Sequence, residues 1–368
     1  MQNLDKFKTE LNKGSFSKSA VFNKVELNNI EFPKNTIIEK NVEIYSSDIY
    51  DNEIKIGENV VIKENSLLVF DKLKIEDSVI IGQNSKIRAG EIFIGKNATI
   101  DENFNVLCSE KFSIGKNSNV GKNITVQCRT FEAGDFLQFY EGALVGKGGK
   151  FGVNARVKVG SGCFIGKYTL INPSENVEIG DDVGLGDEVQ VWTHGGYLST
   201  LDGFPVTFAP VRIGNHVWLP ARSIVLPGVS IGDNVVIGIN SLVNKDIPSG
   251  CLAAGIPCKV IKENIFPKKL VGEKRARFID EVIARYLPLM KDKGIDAKIK
   301  YDLEDDQIIF KRTTGETMFN LRKMEIIGIC DDEVEDFRDF LRRNGIKFFT
   351  ENRFRSIIPP AFERLMRV

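Results

Sequence analysis

From Ile213 onward a branched aliphatic residue returns at every sixth position: Ile213, Leu219, Val225, Ile231, Ile237 and Val243. Four residues after each of the first five stand Val217, Ser223, Val229, Val235 and Ser241, all small or β-branched. The same period appears upstream in groups of three: Phe32/Ile38/Ile44, Ile56/Ile62/Leu68, Ile75/Ile81/Ile87, Ile94/Ile100/Val106, Ile114/Val120/Val126, Phe139/Val145/Phe151, Val159/Ile165/Ile171 and Ile179/Leu185/Val191. A six-residue period keeps nothing on one face of a 3.6-residue helix. One long strand is excluded too, because most groups carry glycine, asparagine or aspartate just after the aliphatic, as in IGEN, IGQN, IGKN, IGDD and IGDN. Such residues tolerate the positive φ of a turn. The pattern predicts short strands joined by turns, three to a triangular coil of about eighteen residues. Each aliphatic points inward and stacks on its counterpart one coil away, while the backbone pairs in parallel with the coils above and below. A mainly β chain of about ten coils is expected.

The rhythm runs over about residues 30–250 and is interrupted at three longer gaps. Ile44 to Ile56 holds two hexads with Tyr50 in frame and need not be a loop. Val126 to Phe139 and Val191 to Ile213 are expected to leave the coil at a corner, the second as a loop over residues 193–212. Residues 1–30 lack the period and are expected to cap the first coil, whose sheet edges would otherwise be open. Beyond Lys262 the pattern changes. Phe266 to Lys293 reads as helix, with Phe278, Val282, Ile283, Tyr286 and Leu287 on its apolar face. The runs AKIKYDL, DQIIFKR, ETMFNL and KMEIIGI read as strands, and Asp331 to Asn344 as a second helix ended by Gly345. Residues 263–368 therefore form a small α/β domain of unknown role, after a coil domain over 31–262.

Charge and cysteine content narrow the function. Fifty basic and fifty acidic residues cancel, so neither a nucleic-acid partner nor an anionic surface is expected. Short basic runs such as KRAR at 274–277 are read as solvated helix faces. The six cysteines form no CxxC pair and are expected to be reduced and packed, with no metal bound. No run approaches the ~18 apolar residues of a membrane span, and the polar start MQNLDKFKTE carries no signal segment. A cytoplasmic protein is expected.

The stretch from Pro210, PVRIGNHVWLPARSIVLPGVSIGDNVVIGINSLVNKDIPSGCLAAGIPCKVIK, with Thr193-His194 before it, is specific. It resembles the left-handed parallel β-helix acyltransferases, and within them the sugar and xenobiotic O-acetyltransferases such as the maltose, galactoside and nodulation enzymes. The resemblance supplies the left hand of the coil. It implies an acetyl-coenzyme A donor, a sugar or nucleotide-sugar acceptor in surface-polysaccharide synthesis, direct attack in a ternary complex, and a homotrimer with sites between subunits. His194 falls at the family's catalytic histidine. Its neutral imidazole is suited to take the acceptor's proton. The family's oxyanion donor, a backbone N–H, falls on Ala221, and Pro220 replaces the glycine before it. Asn172 is the nearest match to the acceptor-binding asparagine, and Asp202 is a candidate to orient His194 or to meet the acceptor. Trp218, Ala221, Ser223, Ile239, Asn244 and Lys245 are expected along coenzyme A, with Lys259 and Lys262 at its phosphates.

Two other readings are weighed against this one. His216 stands at a repeat corner and is read as a turn residue. A carbonic anhydrase on the same scaffold needs three zinc histidines, and this chain has two. A non-catalytic coil whose C-terminal domain binds a partner is the alternative to an enzyme.

Overall fold

The computed structural model describes residues 15–16, 33, 35–46 and 54–363. The chain forms two compact units, with the boundary after Pro267. The first is the expected parallel β-helix. One face is a parallel sheet running from Ser15–Phe16 and Ile37–Ile38 up to Val236–Ile237 and Leu252–Ala254; Lys259–Lys262 ends it in antiparallel pairing. The second and third faces are the two arms of another sheet. One arm carries Leu144–Val145, Leu170–Asn172, Gln190–Trp192, Ile224–Val225 and Leu242–Val243, and the other Arg156–Val159, Val177–Ile179, Val211–Ile213 and Ser230–Ile231.

The inward aliphatics form one continuous core. Every described member of the six-residue series is buried except Phe151. Each fully buried Ile, Leu or Val contributes about 1.5–3 kcal/mol. Phe104, Phe112, Phe131 and Phe139 run through the middle coils with successive ring centroids 5.6, 5.9 and 6.1 Å apart.

Three details depart from the sequence reading. Ile62, Ile81, Ile100, Val120 and Phe139 are successive register partners, so these coils hold 19 or 20 residues and not eighteen. The extra residues let Lys86–Ile94, Asn105–Ile114 and Thr125–Ala133 run unbroken around the corner between the second and third faces. The expected loop after Val126 is therefore absent: Phe131 and Ala133 stay in the core, and Phe136 makes a tight turn at φ 59°. Phe151 is 77% exposed, because the chain leaves the coil between Val145 and Arg156. The apolar frame at Phe151 is a coincidence of spacing. The gap at Tyr50, and the cap expected over 1–30 apart from Ser15–Phe16, lie outside the described residues.

Glycine and asparagine also divide the corner work. The asparagines take positive φ, as at Asn84 and Asn97. Glycines such as Gly82 instead allow close approach: a Cβ there would lie 2.4 Å from the Asp101 carbonyl carbon of the next coil.

In the second unit the helix Gly272–Asp292 precedes an antiparallel meander of Lys298–Asp302, Gln307–Arg312, Gly315–Asn320 and Glu325–Gly328. The helix Asp332–Arg343 follows, its N-terminus capped by the Asp331 carboxylate accepting from Val334 N. Ile279, Val282, Ile283, Tyr286, Ile308, Phe310, Phe319 and Phe337 make a separate core. Leu287 is exposed, contrary to its expected place on the apolar face. Among the described residues, no helix is long and apolar enough to cross a membrane.

Candidate active site

The corner that the middle coils pass straight through opens in the later coils. Successive coils send out the loop 146–154, the short turn after Asn172, the segment 193–210, and the turn after Val225. These stack along one edge, with His194 among them.

The segment 193–210 is a hairpin, not an open loop. His194–Gly195 pairs antiparallel with Thr207–Phe208, and Thr200–Asp202 forms a 3-10 turn at its tip. Its base is fixed to the previous coil. The Thr193 hydroxyl donates to the Asn172 carbonyl (2.7 Å) and accepts from Glu175 N (3.0 Å). The His194 ring stacks on Phe208 at 5.5 Å and meets Trp192 edge-on at 6.3 Å.

Nδ1 of His194 lies 2.8 Å from Ser174 Oγ and 3.0 Å from Asn172 Oδ1. Ser174 has one hydroxyl proton, with the Gly148 carbonyl at 2.9 Å and Asn172 Oδ1 at 3.2 Å both placed to accept it. Asn172 Oδ1 also accepts from Ser174 N at 3.4 Å, which fixes the amide with its oxygen toward the ring. Both partners of Nδ1 are then acceptors, so Nδ1 carries the proton and Nε2 keeps its lone pair. Gly148 leaves room on that side: a Cβ there would stand 3.1 Å from Nε2.

Two cavities lie along this edge, and His194 lines the first of them. One of about 620 Å³ is lined by Trp192, His194, Ile224, Leu226, Leu242 and Asn244 and opens toward the C-terminal coils. The other, about 340 Å³, lies between the loop 146–154 and Phe208, over Ser174 and Glu175.

Residues 210–245 match the family model described as bacterial transferase hexapeptide (six repeats). That stretch carries a hexapeptide repeat. The chain is 36% identical over 115 residues to galactoside O-acetyltransferase of Escherichia coli K12, covering 31% of this chain and 57% of that one. The chain thus spans little more than half the length of this curated relative. Among solved structures, a galactoside acetyltransferase in complex with coenzyme A is 30% identical over 36% of this chain and 66% of its own, with a TM-score of 0.28. A maltose O-acetyltransferase from Clostridium difficile 630 is 26% identical over 48% and 68%, with a TM-score of 0.25.

The hexapeptide coil distributes the other candidate residues unevenly. Asn172 is fully buried with Oδ1 at His194 Nδ1, while its Nδ2 has no partner among the described residues. Asp202 sits exposed at the hairpin tip; Asn172 and Ser174 take the orienting place considered for it. Ser223 is also buried, its hydroxyl donating to the Pro220 carbonyl at 2.9 Å. Asn244 shares the larger cavity with His194, and the exposed Lys245 follows it. Trp218 lies on the first face, edge-on to Phe164 at 6.3 Å. Ala221 and the exposed Ile239 stand at the corner between the first and second faces, the far edge of the second face from His194. Lys259 and Lys262 lie exposed on the last strand. His216 is the turn residue expected, at φ 55° and 3.2 Å from Asp182.

Sequence reasoning missed Ser174, Gly148, Phe208 and the whole loop 146–154. The glycines at 146, 148, 149 and 152 were the available signal, masked by Phe151 falling in frame.

Proposed function

We propose that the chain transfers an acetyl group from acetyl-coenzyme A to a hydroxyl or amino group of a sugar, in surface-polysaccharide synthesis, with His194 as general base. The observation that carries this reading is the His194 imidazole, held at Nδ1 by Asn172 Oδ1 and Ser174 Oγ and lining the larger cavity. Nε2 takes the acceptor's proton as its oxygen or nitrogen attacks the thioester carbonyl carbon. The tetrahedral intermediate collapses, the carbon–sulfur bond breaks, and the imidazolium returns the proton to the leaving thiolate. Asn172 Oδ1 stabilises the imidazolium meanwhile. The donor is assigned to the larger cavity, whose Ile224, Leu226 and Leu242 suit an apolar pantetheine arm. Trp218, Ala221, Ile239, Asn244 and Lys245, with Lys259 and Lys262 for the phosphates, are proposed along the rest of coenzyme A.

The oxyanion donor is proposed to be the Ala221 N–H. Within one chain Ala221 stands at the opposite edge of the second face from His194, so the reading includes a homotrimer in which His194 of one copy meets Ala221 of the next. The test is thiol release from acetyl-coenzyme A with a panel of sugars. His194→Ala should lower turnover by about 10²–10⁴-fold while coenzyme A still binds. Turnover retained in the variant would remove the base, and absence of coenzyme A binding to the native chain would leave only a scaffold.

A further inference from the structure

A third cavity, of about 540 Å³, lies on the outer side of the first face, at the edge it shares with the second face. That edge also carries Ala221. Phe139, Ile165, Leu185 and Leu219 are successive register partners. The cavity thus stands three strand spacings, about 14 Å, before the coil of Ala221. The outward column of the first face changes character here. Ile37, Val61 and Ile80 are followed by Thr99, Asn119 and Gln138, and then by Phe164. Gln138 is 7% exposed, and a buried amide needs partners. Its oxygen accepts one long bond from Asn119 Nδ2 at 3.4 Å. Its Nε2, like Thr99 Oγ1, has no partner among the described residues. An aliphatic side chain would fill either position without that cost, as Val61 and Ile80 do earlier in the column. Nothing in the fold uses these two groups.

Tyr140 forms one wall of the cavity. Its ring is half-buried and 4.9 Å from Phe164, which in turn meets Trp218. Gly121, beside it one coil back, has no side chain and leaves a notch next to the ring. The four charged lining side chains cancel. Lys122 and Lys167 lie 3.9 and 3.7 Å from Glu141, and Asp101 is the second anion. An aromatic ring beside amides, a hydroxyl and balanced charge fits a polyhydroxy ring better than a polyphosphate. We propose that this notch is a distal subsite for a glycan chain. One sugar ring lies on Tyr140, and side-chain rotation brings Gln138 and Thr99 to its hydroxyls. The chain then runs along Phe164 toward the coil of Ala221, and Trp218 stays with coenzyme A. Binding at the notch stands apart from the transferase reading. Its consequence, an acceptor recognised as a chain and not as one sugar, rests on that reading.

The experiment is calorimetric titration of the full chain with maltohexaose, cellohexaose and N-acetylchitohexaose, each beside its monosaccharide, and with uridine diphosphate as competitor. At least one hexaose should bind about tenfold more tightly than its monosaccharide, because linked contacts add. Uridine diphosphate should not displace it. Tyr140→Ala should weaken the hexaose roughly three- to tenfold, the loss of one aromatic contact. Gln138→Leu should weaken it by roughly the same factor, the loss of one hydrogen bond. Its thermal midpoint should hold or rise, because an under-bonded buried amide is gone; a purely structural glutamine would do the reverse. The proposal falls if no hexaose binds more tightly than its monosaccharide, if either variant leaves binding unchanged, or if uridine diphosphate displaces the hexaose. It falls also if Tyr140→Ala changes the sedimentation of the protein, because the ring then belongs to a contact between copies. The two assignments fail separately. Hexaose binding without thiol release removes the transferase and keeps the notch. Thiol release with the same KM for hexaose and monosaccharide removes the notch and keeps the transferase.

Discussion

At the scale of residues, the site depends on which nitrogen of His194 holds its proton. Asn172 and Ser174 both stand at Nδ1 as acceptors, the Ser174 proton having the Gly148 carbonyl and Asn172 Oδ1 to go to. Removing one acceptor leaves the other, so a single variant should be mild. Removing both, as Asn172→Ala with Ser174→Ala, frees the ring to take either tautomer and to rotate. Groups that orient a catalytic or metal-bound histidine typically contribute about 10–100-fold. The double variant should therefore lose about that much kcat, with acetyl-coenzyme A affinity unchanged. A purely structural role would not move the ring's ¹⁵N spectrum. Native His194 should show a protonated Nδ1 and a bare Nε2, and the double variant a mixture. An unchanged spectrum beside a fallen rate would sink the orienting role.

At the scale of elements, the coil rests on a close stacking that tolerates almost nothing at its glycines. Gly82 has ordinary negative-φ backbone, so its need for glycine comes from the neighbouring coil alone. A Cβ there meets Asp101 and Glu102 backbone atoms at 2.4–2.7 Å, and backbone cannot rotate away as a side chain can. Gly82→Ala should cost about 1–3 kcal/mol, the usual range for overpacking, read as a lower thermal midpoint. Alanine at the exposed, unobstructed Gly195 is the control. The period of six was legible because every coil repeats the same inward demand. Ile62, Ile81 and Ile100 answer it identically. What was illegible follows from the same cause. A strand that rounds a corner, as Thr125–Ala133 does, keeps apolar residues inward without a turn signal, so the spacing looked like an escape from the coil. A true escape, the loop 146–154, kept the spacing by chance at Phe151. His194 was found because its motif is local. Ser174 and Gly148 were not, because they reach it from neighbouring coils, 20 and 46 positions away in the chain, and no short window holds all three.

At the scale of the whole molecule, the two units keep separate cores and different spectroscopic reporters. Both tryptophans, Trp192 and Trp218, belong to the coil. The long helices, Gly272–Asp292 and Asp332–Arg343, belong to the second unit. That unit buries an ion pair: Lys293 Nζ lies 2.6 Å from Asp336 Oδ1, with the two side chains 4% and 0% exposed. Asp336 also accepts from the Tyr286 hydroxyl (2.7 Å) and Ile357 N (2.6 Å). Burial, and then the Asp336 charge beside it, push the Tyr286 phenol far above its ordinary value, so it stays a donor. Lys293→Met would leave Asp336 charged, buried and short of its counter-ion. Breaking a buried pair from one side costs about 3–5 kcal/mol. Adding Asp336→Asn removes the stranded charge: the amide oxygen still accepts from Ile357 N, and the amide nitrogen in place of the other oxygen donates to the Tyr286 hydroxyl, so the double variant should recover part of the loss. Helical ellipticity should melt earlier in Lys293→Met and partly return in the double variant, while tryptophan fluorescence melts as in the native chain. If both signals shift together, the units unfold as one. If neither shifts, the pair contributes nothing that a methionine cannot replace.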